Sequence, residues 1–340
     1  MNSPPRLAIQ PTLGAPTELG DRVFVRDLAE GDLVAGAFAV RERSRMSRKN
    51  GDDFVKLLVA DRTGGIEAVA WDEVDECFAV SAPGEVVYIE GPFSIHPQFG
   101  AKVTIRSIRR AAEHEYEHTD LVEGSPVPAE RLESDLRDLL ETIQNRQLAA
   151  LLERFFAPGS ANWERFRAAP AAKYYHQAYP HGLLEHAISV AQAVSAAAAA
   201  FPGIDRDLAV TGALLHDIGK TQAYNDDPLA IDLTDAGRLQ GEIPLGYYTV
   251  RREIESIPGF DPELAQSVLH IILSHHGTLE HGSPVLPATR EATLVHAMDN
   301  LGGKLGSFDR IERELPDGQA WSKFDRAIDS AAYFGASQAA

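Results

Sequence analysis

Cysteine is nearly absent from this 340-residue chain; Cys77 stands alone. One thiol excludes internal disulfides and cysteine-based zinc sites. Basic residues are in deficit, with 32 Lys and Arg against 50 Asp and Glu and a net charge of -18. That balance argues against duplex nucleic-acid binding through bulk positive charge, although a local basic groove is compatible with it. No run reads as approaching the roughly 18 apolar residues of a membrane span. The opening Met1-Asn-Ser-Pro-Pro-Arg-Leu7 lacks the apolar core of a signal peptide. A cytoplasmic location without a membrane partner is therefore the expectation. No internal repeat is visible.

What is present is ordinary globular material, 44% hydrophobic and 24% charged, enough for two cores at this length. Residues 1–20, with Pro4, Pro5, Pro11 and Pro16, read as a mobile tail. Residues 21–112 read as short strands and turns. Leu33–Val40 alternates, and Phe54–Ala60 is β-like and ends in the turn Asp61-Arg-Thr-Gly-Gly65. Ile66–Trp71 follows, then a helical stretch over Asp72–Phe78. Pro83-Gly84 turns into Glu85–Gly91, and Lys102–Arg106 is the last strand. Five strands with a helix between the third and fourth is the order of an OB-fold barrel. The phrase from Leu58 to Trp71 resembles nucleic-acid-binding OB-folds of the tRNA-anticodon type.

The acidic segment 113–129, with Gly-Ser-Pro-Val-Pro, reads as a linker. Beyond it the chain is helical, with Leu132, Leu136, Leu139, Leu140 and Ile143 at helical spacing. The poly-Ala run Ala196–Ala200 reads as the end of a well-formed helix. Residues 130–170 form a helical brace, 171–315 a catalytic domain and 316–340 a C-terminal extension. The expected fold class is thus multidomain, an N-terminal all-β OB-fold barrel followed by an all-α helical bundle.

The chemistry sits in the helical half. His186 shares an apolar helix face with Leu183, Ala187 and Val190. Taken alone it reads more readily as a hydrogen-bonded core histidine than as a ligand. His216-Asp217 follows the apolar Ala213-Leu-Leu215, where a carboxylate is costly unless paired. Read as helical, the two side chains differ by about 100° in direction, so both reach one ion and the carboxylate can bridge to another. Asp299 lies on a further apolar helix beside Val295 and His296. His275 and His276 precede Gly277, a helix C-cap residue; they either complement the helix dipole or join the donors. Imidazole and carboxylate together suit first-row divalent ions and hydrolytic chemistry.

The order His186, His216-Asp217, Asp299 resembles the HD-domain phosphohydrolases. The phrases Ala171-Ala-Lys-Tyr-Tyr-His176, His181-Gly-Leu-Leu-Glu-His186, Ile272-Leu-Ser-His-His-Gly277 and Gly282-Ser-Pro284, behind an OB-fold, are similar to the YhaM family of 3′→5′ exoribonucleases over roughly residues 21–330. The resemblance implies a first ion on His186, His216, Asp217 and Asp299. It implies a second on Asp217, His275, His276 and one further residue, usually histidine in a Gly-His-Ile phrase. Here that phrase is Gly241-Glu242-Ile243, so Glu242 is the candidate, with harder donor character; one or two ions per chain follow. Mn²⁺ is the expected ion, with Mg²⁺, Co²⁺ or Fe²⁺ as alternatives.

The activity implied is hydrolysis of single-stranded RNA, and of ssDNA as a further substrate, to nucleoside 5′-monophosphates. Asp217 and Lys220 are the catalytic candidates, Lys220 as a phosphate partner or a plain solvent-facing lysine. Lys173 and His176 match positions near the substrate. Arg41, Arg43, Arg45, Arg48 and Lys49 form a basic segment read as the loop joining the first two strands, where OB-folds contact oligonucleotides. Phe54, Trp71 and Phe99 are stacking candidates or core. A nucleotide or cyclic-nucleotide phosphohydrolase, and a non-catalytic RNA-binding protein, remain open as alternatives, as does homo-oligomerisation.

Overall fold

A computed structural model describes residues 22–96, 100–173, 177–313, 315 and 318–335. The tail over 1–20, Phe99 and His176 lie outside the described residues. The N-terminal half holds β1 (Leu33–Ser47), β2 (Asp53–Asp61), β3 (Gly64–Ala70), α1 (Val74–Val80), β4 (Val86–His96), β5 (Gly100–Thr104) and β6 (Ser107–Arg110). The strand order is β1-β2-β3-β5-β4-β6, and β1 also pairs with β4. That pairing closes a five-stranded barrel, with β3 and β5 parallel. β6, absent from the sequence reading, extends the sheet beside β4. Its four residues, Ser-Ile-Arg-Arg, are too few and too polar for a period-2 signal.

β1 is long enough to serve both neighbours because it bends. Leu33–Ala39 pairs with β4, Ala39–Ser47 pairs with β2, and the register shifts between Val40 and Glu42. A bulge re-aims a side chain and sharpens the twist. The displaced residue, Arg41, donates to the Pro228 carbonyl at 2.8 Å in the helical half. Val55, Leu57 and Val59 point inward with Ile66, Ala68, Val87, Ile89 and Val103 to fill the barrel.

The helical half comprises α2 (Ala129–Glu141), α3 (Arg146–Phe156), α4 (Ala161–Ala168), α5 (Gly182–Ala200), α6 (Arg206–Leu215), α7 (Lys220–Ala223), α8 (Asp235–Gln240), α9 (Glu242–Glu255), α10 (Pro262–Ser274) and α11 (Arg290–Arg313). Side-chain caps mark several starts. Asn145 accepts from Leu148 N–H, Ser160 from Trp163, Asp205 from Leu208 and Asp261 from Leu264, and Pro262 suits the first turn of α10. Leu136, Leu148, Phe155, Phe156 and Phe166 join Leu183, Val190, Leu214 and Ile271 in one core. A hairpin of β7 (Trp321–Asp325) and β8 (Ser330–Tyr333) follows α11, a β addition to an otherwise helical half.

α5 corrects the expectation about apolar runs. It has 19 residues, and an 18-residue window of it has a mean hydropathy of 1.3, long and apolar enough by composition to cross a membrane. Packing accounts for that composition, since α5 touches α2, α4, α6 and α11 and its buried face includes Leu183, Leu184, Ile188, Val190 and Val194.

Segment 113–129 contains two 3₁₀ turns, Glu113–Glu115 and His118–Asp120, and it is anchored. Leu121 is 0% exposed and packs with Ala37, Ala39 and Val86 of the barrel and with Leu229. Lys173 spans the same boundary, 2.9 Å from Glu42 of β1 and 3.1 Å from Asp232. Leu121→Ala is expected to cost about 2–5 kcal/mol, the range for a large-to-small change in a packed core. Denaturant unfolding checks this, and a loss under about 0.5 kcal/mol, as at a surface site, would mean the segment is a free tether.

Candidate metal centre

Three helix ends and two helix interiors converge at the centre. α5 and α11 supply His186 and Asp299 from within their turns. α6 and α10 end one residue before His216 and His275, so His216, Asp217, His275 and His276 sit in the turns that follow. This adjusts the helical reading of the His-Asp pair. Leaving the helix frees both side chains to face inward. α9 begins at Glu242, and its approach depends on Gly219. A methyl group there would stand 1.9 Å from the Glu242 carbonyl oxygen and 2.6 Å from the Gly246 nitrogen.

The donor atoms are close. His186 Nε2 lies 3.0 Å from Asp299 Oδ1, 3.3 Å from His216 Nε2 and 3.5 Å from Asp217 Oδ2. His216 Nε2 lies 3.3 Å from Asp217 Oδ2 and 3.7 Å from Asp299 Oδ1. Asp217 turns its other oxygen the opposite way, with Oδ1 3.4 Å from His275 Nε2. His276 Nε2 is 3.7 Å from Glu242 Oε1. Donors about 2.0–2.2 Å from one ion stand about 3.0–3.5 Å from each other in octahedral or tetrahedral geometry. Among the described residues, three overlapping groups bring their donor atoms within 4.8 Å of one another: His186, His216 and Asp217; His216, His275 and Asp299; Asp217, His275 and His276.

The imidazole tautomers follow from backbone carbonyls, which only accept. His216 Nδ1 is 2.6 Å from the Ala213 carbonyl, His275 Nδ1 2.8 Å from that of Ile272, and His276 Nδ1 2.8 Å from that of His281. Each Nδ1 therefore carries a proton and each Nε2 faces the centre; in the neutral form that atom offers its lone pair, as in metal-ligating histidines. Asp217 Oδ1 and His275 Nε2 are both buried without a hydrogen-bond partner. Two lone pairs facing each other across 3.4 Å repel unless a cation lies between them. The donor set thus fits a divalent metal ion and needs one.

Electrostatics agree. Burial works to raise both carboxylates, yet Lys220 and His216 hold Asp217, and His186 and His216 hold Asp299, well below the ordinary range. Burial opposes the His216 cation, but Asp217 and Asp299 push its pKa up to about 10. Burial and His275 lower that of His276. Lys220 Nζ stands 2.6 Å from Asp217 Oδ2. It packs on the carboxylate with its side chain 14% exposed, which corrects the solvent-facing alternative. Lys173 is engaged with Glu42 and Asp232.

The basic segment is corrected too. Arg41, Arg43 and Arg45 lie on β1; Arg48 and Lys49 lead into the turn. Arg43 stacks 3.7 Å over the Phe78 ring and donates to its carbonyl. Arg45 pairs with Asp53 and Asp75. Arg48 stacks 4.4 Å over Trp71. Trp71 and Phe54 are half-buried outside the barrel core with ring centroids 4.8 Å apart, and Lys102 Nζ is 5.7 Å from Trp71. Burial pushes the Cys77 thiol up to about 11, consistent with a core role. Sequence reasoning missed His296, whose Nδ1 lies 2.7 Å from the His275 carbonyl. Its only local signal was its place three residues before Asp299.

Comparison with known proteins accords with this geometry. The model of the HD domain matches residues 183–303. The 3′-5′ exoribonuclease YhaM of Geobacillus sp. (strain WCH70) is 30% identical over 85% of this chain and 88% of its own length. This chain belongs to the YhaM family. YhaM of Bacillus subtilis (strain 168) is 29% identical over 84% of the chain and 90% of that protein. A domain of replication protein A from Methanococcus maripaludis covers 26% of the chain and 92% of that domain, at 18% identity and a TM-score of 0.23. Within the YhaM family frame, both HD histidines and both HD aspartates of this chain fall inside the matched HD region.

A proton and a metal ion compete for this site, which fixes a sign. The folded metal-free form holds a proton on His216 up to about pH 10, whereas an ordinary histidine releases it near 6.5. Stability from that proton is complete below about 6.5 and is lost as pH rises toward 10. A bound cation displaces the proton and removes that dependence. Calorimetry should show Tm of the chelated protein falling between pH 6.5 and 10, and falling less with Mn²⁺ present. Equal slopes would contradict the competition.

Proposed function

We propose that this chain is a metal-dependent 3′→5′ exoribonuclease that hydrolyses single-stranded RNA, and also ssDNA, to nucleoside 5′-monophosphates. The observation that carries the reading is the two-sided presentation of Asp217, with Oδ2 toward His186 and His216 and Oδ1 toward His275. On this reading His186, His216, Asp217 and Asp299 hold one ion, and Asp217, His275, His276 and Glu242 hold another. Glutamate in that set favours Mn²⁺ or Mg²⁺ over softer ions.

Divalent ions in such a set activate water and stabilise phosphoryl charge. Water adds to phosphorus at the 3′-terminal phosphodiester, the bond from phosphorus to the 3′ oxygen breaks, and that oxygen leaves with a proton. Lys220, 2.6 Å from Asp217 Oδ2, would stand ready to pair with a phosphate oxygen bound at the centre. A cleft of about 1150 Å³ between segment 122–129, α5 and α11 reaches His186, with Arg62 at its wall. Phe54 and Trp71, flanked by Arg48 and Lys102, supply a stacking platform on the barrel.

Digestion of a 5′-labelled single-stranded RNA with Mn²⁺ should yield a descending ladder and nucleoside 5′-monophosphates. Asp217→Asn should abolish it while circular dichroism stays unchanged, because an amide is a poor anionic ligand. Turnover of free nucleotides without a ladder would favour a nucleotidase, and binding without cleavage a non-catalytic protein.

Metal analysis tests the second ion separately. Glu242→Ala is expected to lose one of two bound ions and keep the other, and Glu242→His to stay active with preference shifted toward Co²⁺ or Fe²⁺. Wild-type metal content and rate in Glu242→Ala would remove Glu242 from the ligand set.

A further inference from the structure

We propose that His296 is a positioning residue for the half of the centre formed by His275 and His276; this rests on the two-ion reading above. α10 ends at Ser274, so the carbonyls of its last turn lack helical partners. The His275 carbonyl finds one across the domain, the His296 Nδ1–H at 2.7 Å. The next backbone unit is held as well. Gly277 takes φ +79° and its N–H donates to the Ser274 carbonyl at 2.8 Å. A methyl group on Gly277 would stand 2.1 Å from Cε1 and 2.3 Å from Nε2 of His296. The imidazole therefore lies directly on the glycine, filling the space any side chain there would need.

These contacts bear on the ligand atoms because both rings are tied to backbone. His275 Nδ1–H donates to the Ile272 carbonyl and His276 Nδ1–H to the His281 carbonyl, each at 2.8 Å. With ring orientation referred to the backbone, placing residues 275–277 places both Nε2 atoms. His296 also sits one turn before Asp299 on α11, and Asp299 faces His186 at 3.0 Å. One helix thus supplies a donor to the first half of the centre and sets the turn that carries the second. Removing His296 should loosen His275 and His276 while His186, His216, Asp217 and Asp299 keep their places. Contacts of this kind are worth about 10–100-fold in metal affinity.

The test is Mn²⁺ titration of chelated full-length protein, read by calorimetry and by electron paramagnetic resonance. Wild type should take two ions and give an exchange-coupled spectrum. His296→Ala should bind the first ion as wild type does and the second about 10–100-fold more weakly, with a mononuclear six-line spectrum at one equivalent and beyond. His296→Asn, which retains an N–H donor, should recover most of the second-ion affinity. Two ions at wild-type affinity with a coupled spectrum in His296→Ala would overturn the inference. So would loss of both ions together, which would make His296 a support of the whole bundle, or no recovery in His296→Asn. A wild type that takes one ion fails the two-ion reading itself, and that result is separate because it needs no variant.

Discussion

The structure is organised around one buried carboxylate. Asp217 is 3% exposed, and an isolated charge at that depth is untenable without compensation. Lys220 meets one oxygen and three histidines surround the pair. Five helices of this half frame the arrangement. α6 stops at Leu215 so that His216 and Asp217 leave the helix facing inward, α10 stops at Ser274 for the same reason, and α5 and α11 flank them. Gly219 lets the start of α9 come into backbone contact and so delivers Glu242. Backbone carbonyls then select the tautomer of three imidazoles, leaving lone pairs where a cation belongs.

The barrel and the bundle are joined by polar groups that reading in one dimension assigns to ligand. Arg41, set apart by the bulge in β1, reaches the Pro228 carbonyl, and Lys173 links Glu42 with Asp232. Leu121 and Leu229 add an apolar contact beside them. Exposed ion pairs contribute little individually, so the buried leucine contact is the stronger determinant of docking. Phe54 and Trp71, with Arg48 and Lys102 beside them, form the aromatic cluster on the outside of the barrel.

Much of the fold was legible in the sequence. Period-2 alternation and the turn Asp61-Arg-Thr-Gly-Gly65 located β2 and β3, and the leucines at helical spacing located α2. The misses share a cause. β6 and the strands of the β7–β8 hairpin have only four or five residues each, too few for a period-2 signal. The basic segment was read as loop because charged residues dominate it, yet pairing with β2 extends β1 through Ser47. The apolarity of α5 was underestimated because its alanines are small, although together they qualify it by hydropathy.

The centre divides along the same line. By itself the sequence offered the donor candidates, because an aspartate among apolar residues is costly unless paired, and the family resemblance grouped them. It also determined the order of domains, since hydrophobic period distinguishes strand from helix locally. Only the tertiary structure decided that the two oxygens of Asp217 face opposite halves, that Lys220 rests on that carboxylate, that Glu242 stands beside His276 and that His296 holds the turn behind His275. Those facts depend on contacts between elements separated by tens of residues, and the direction of a side chain there is set by how helices pack rather than by any neighbour in the chain.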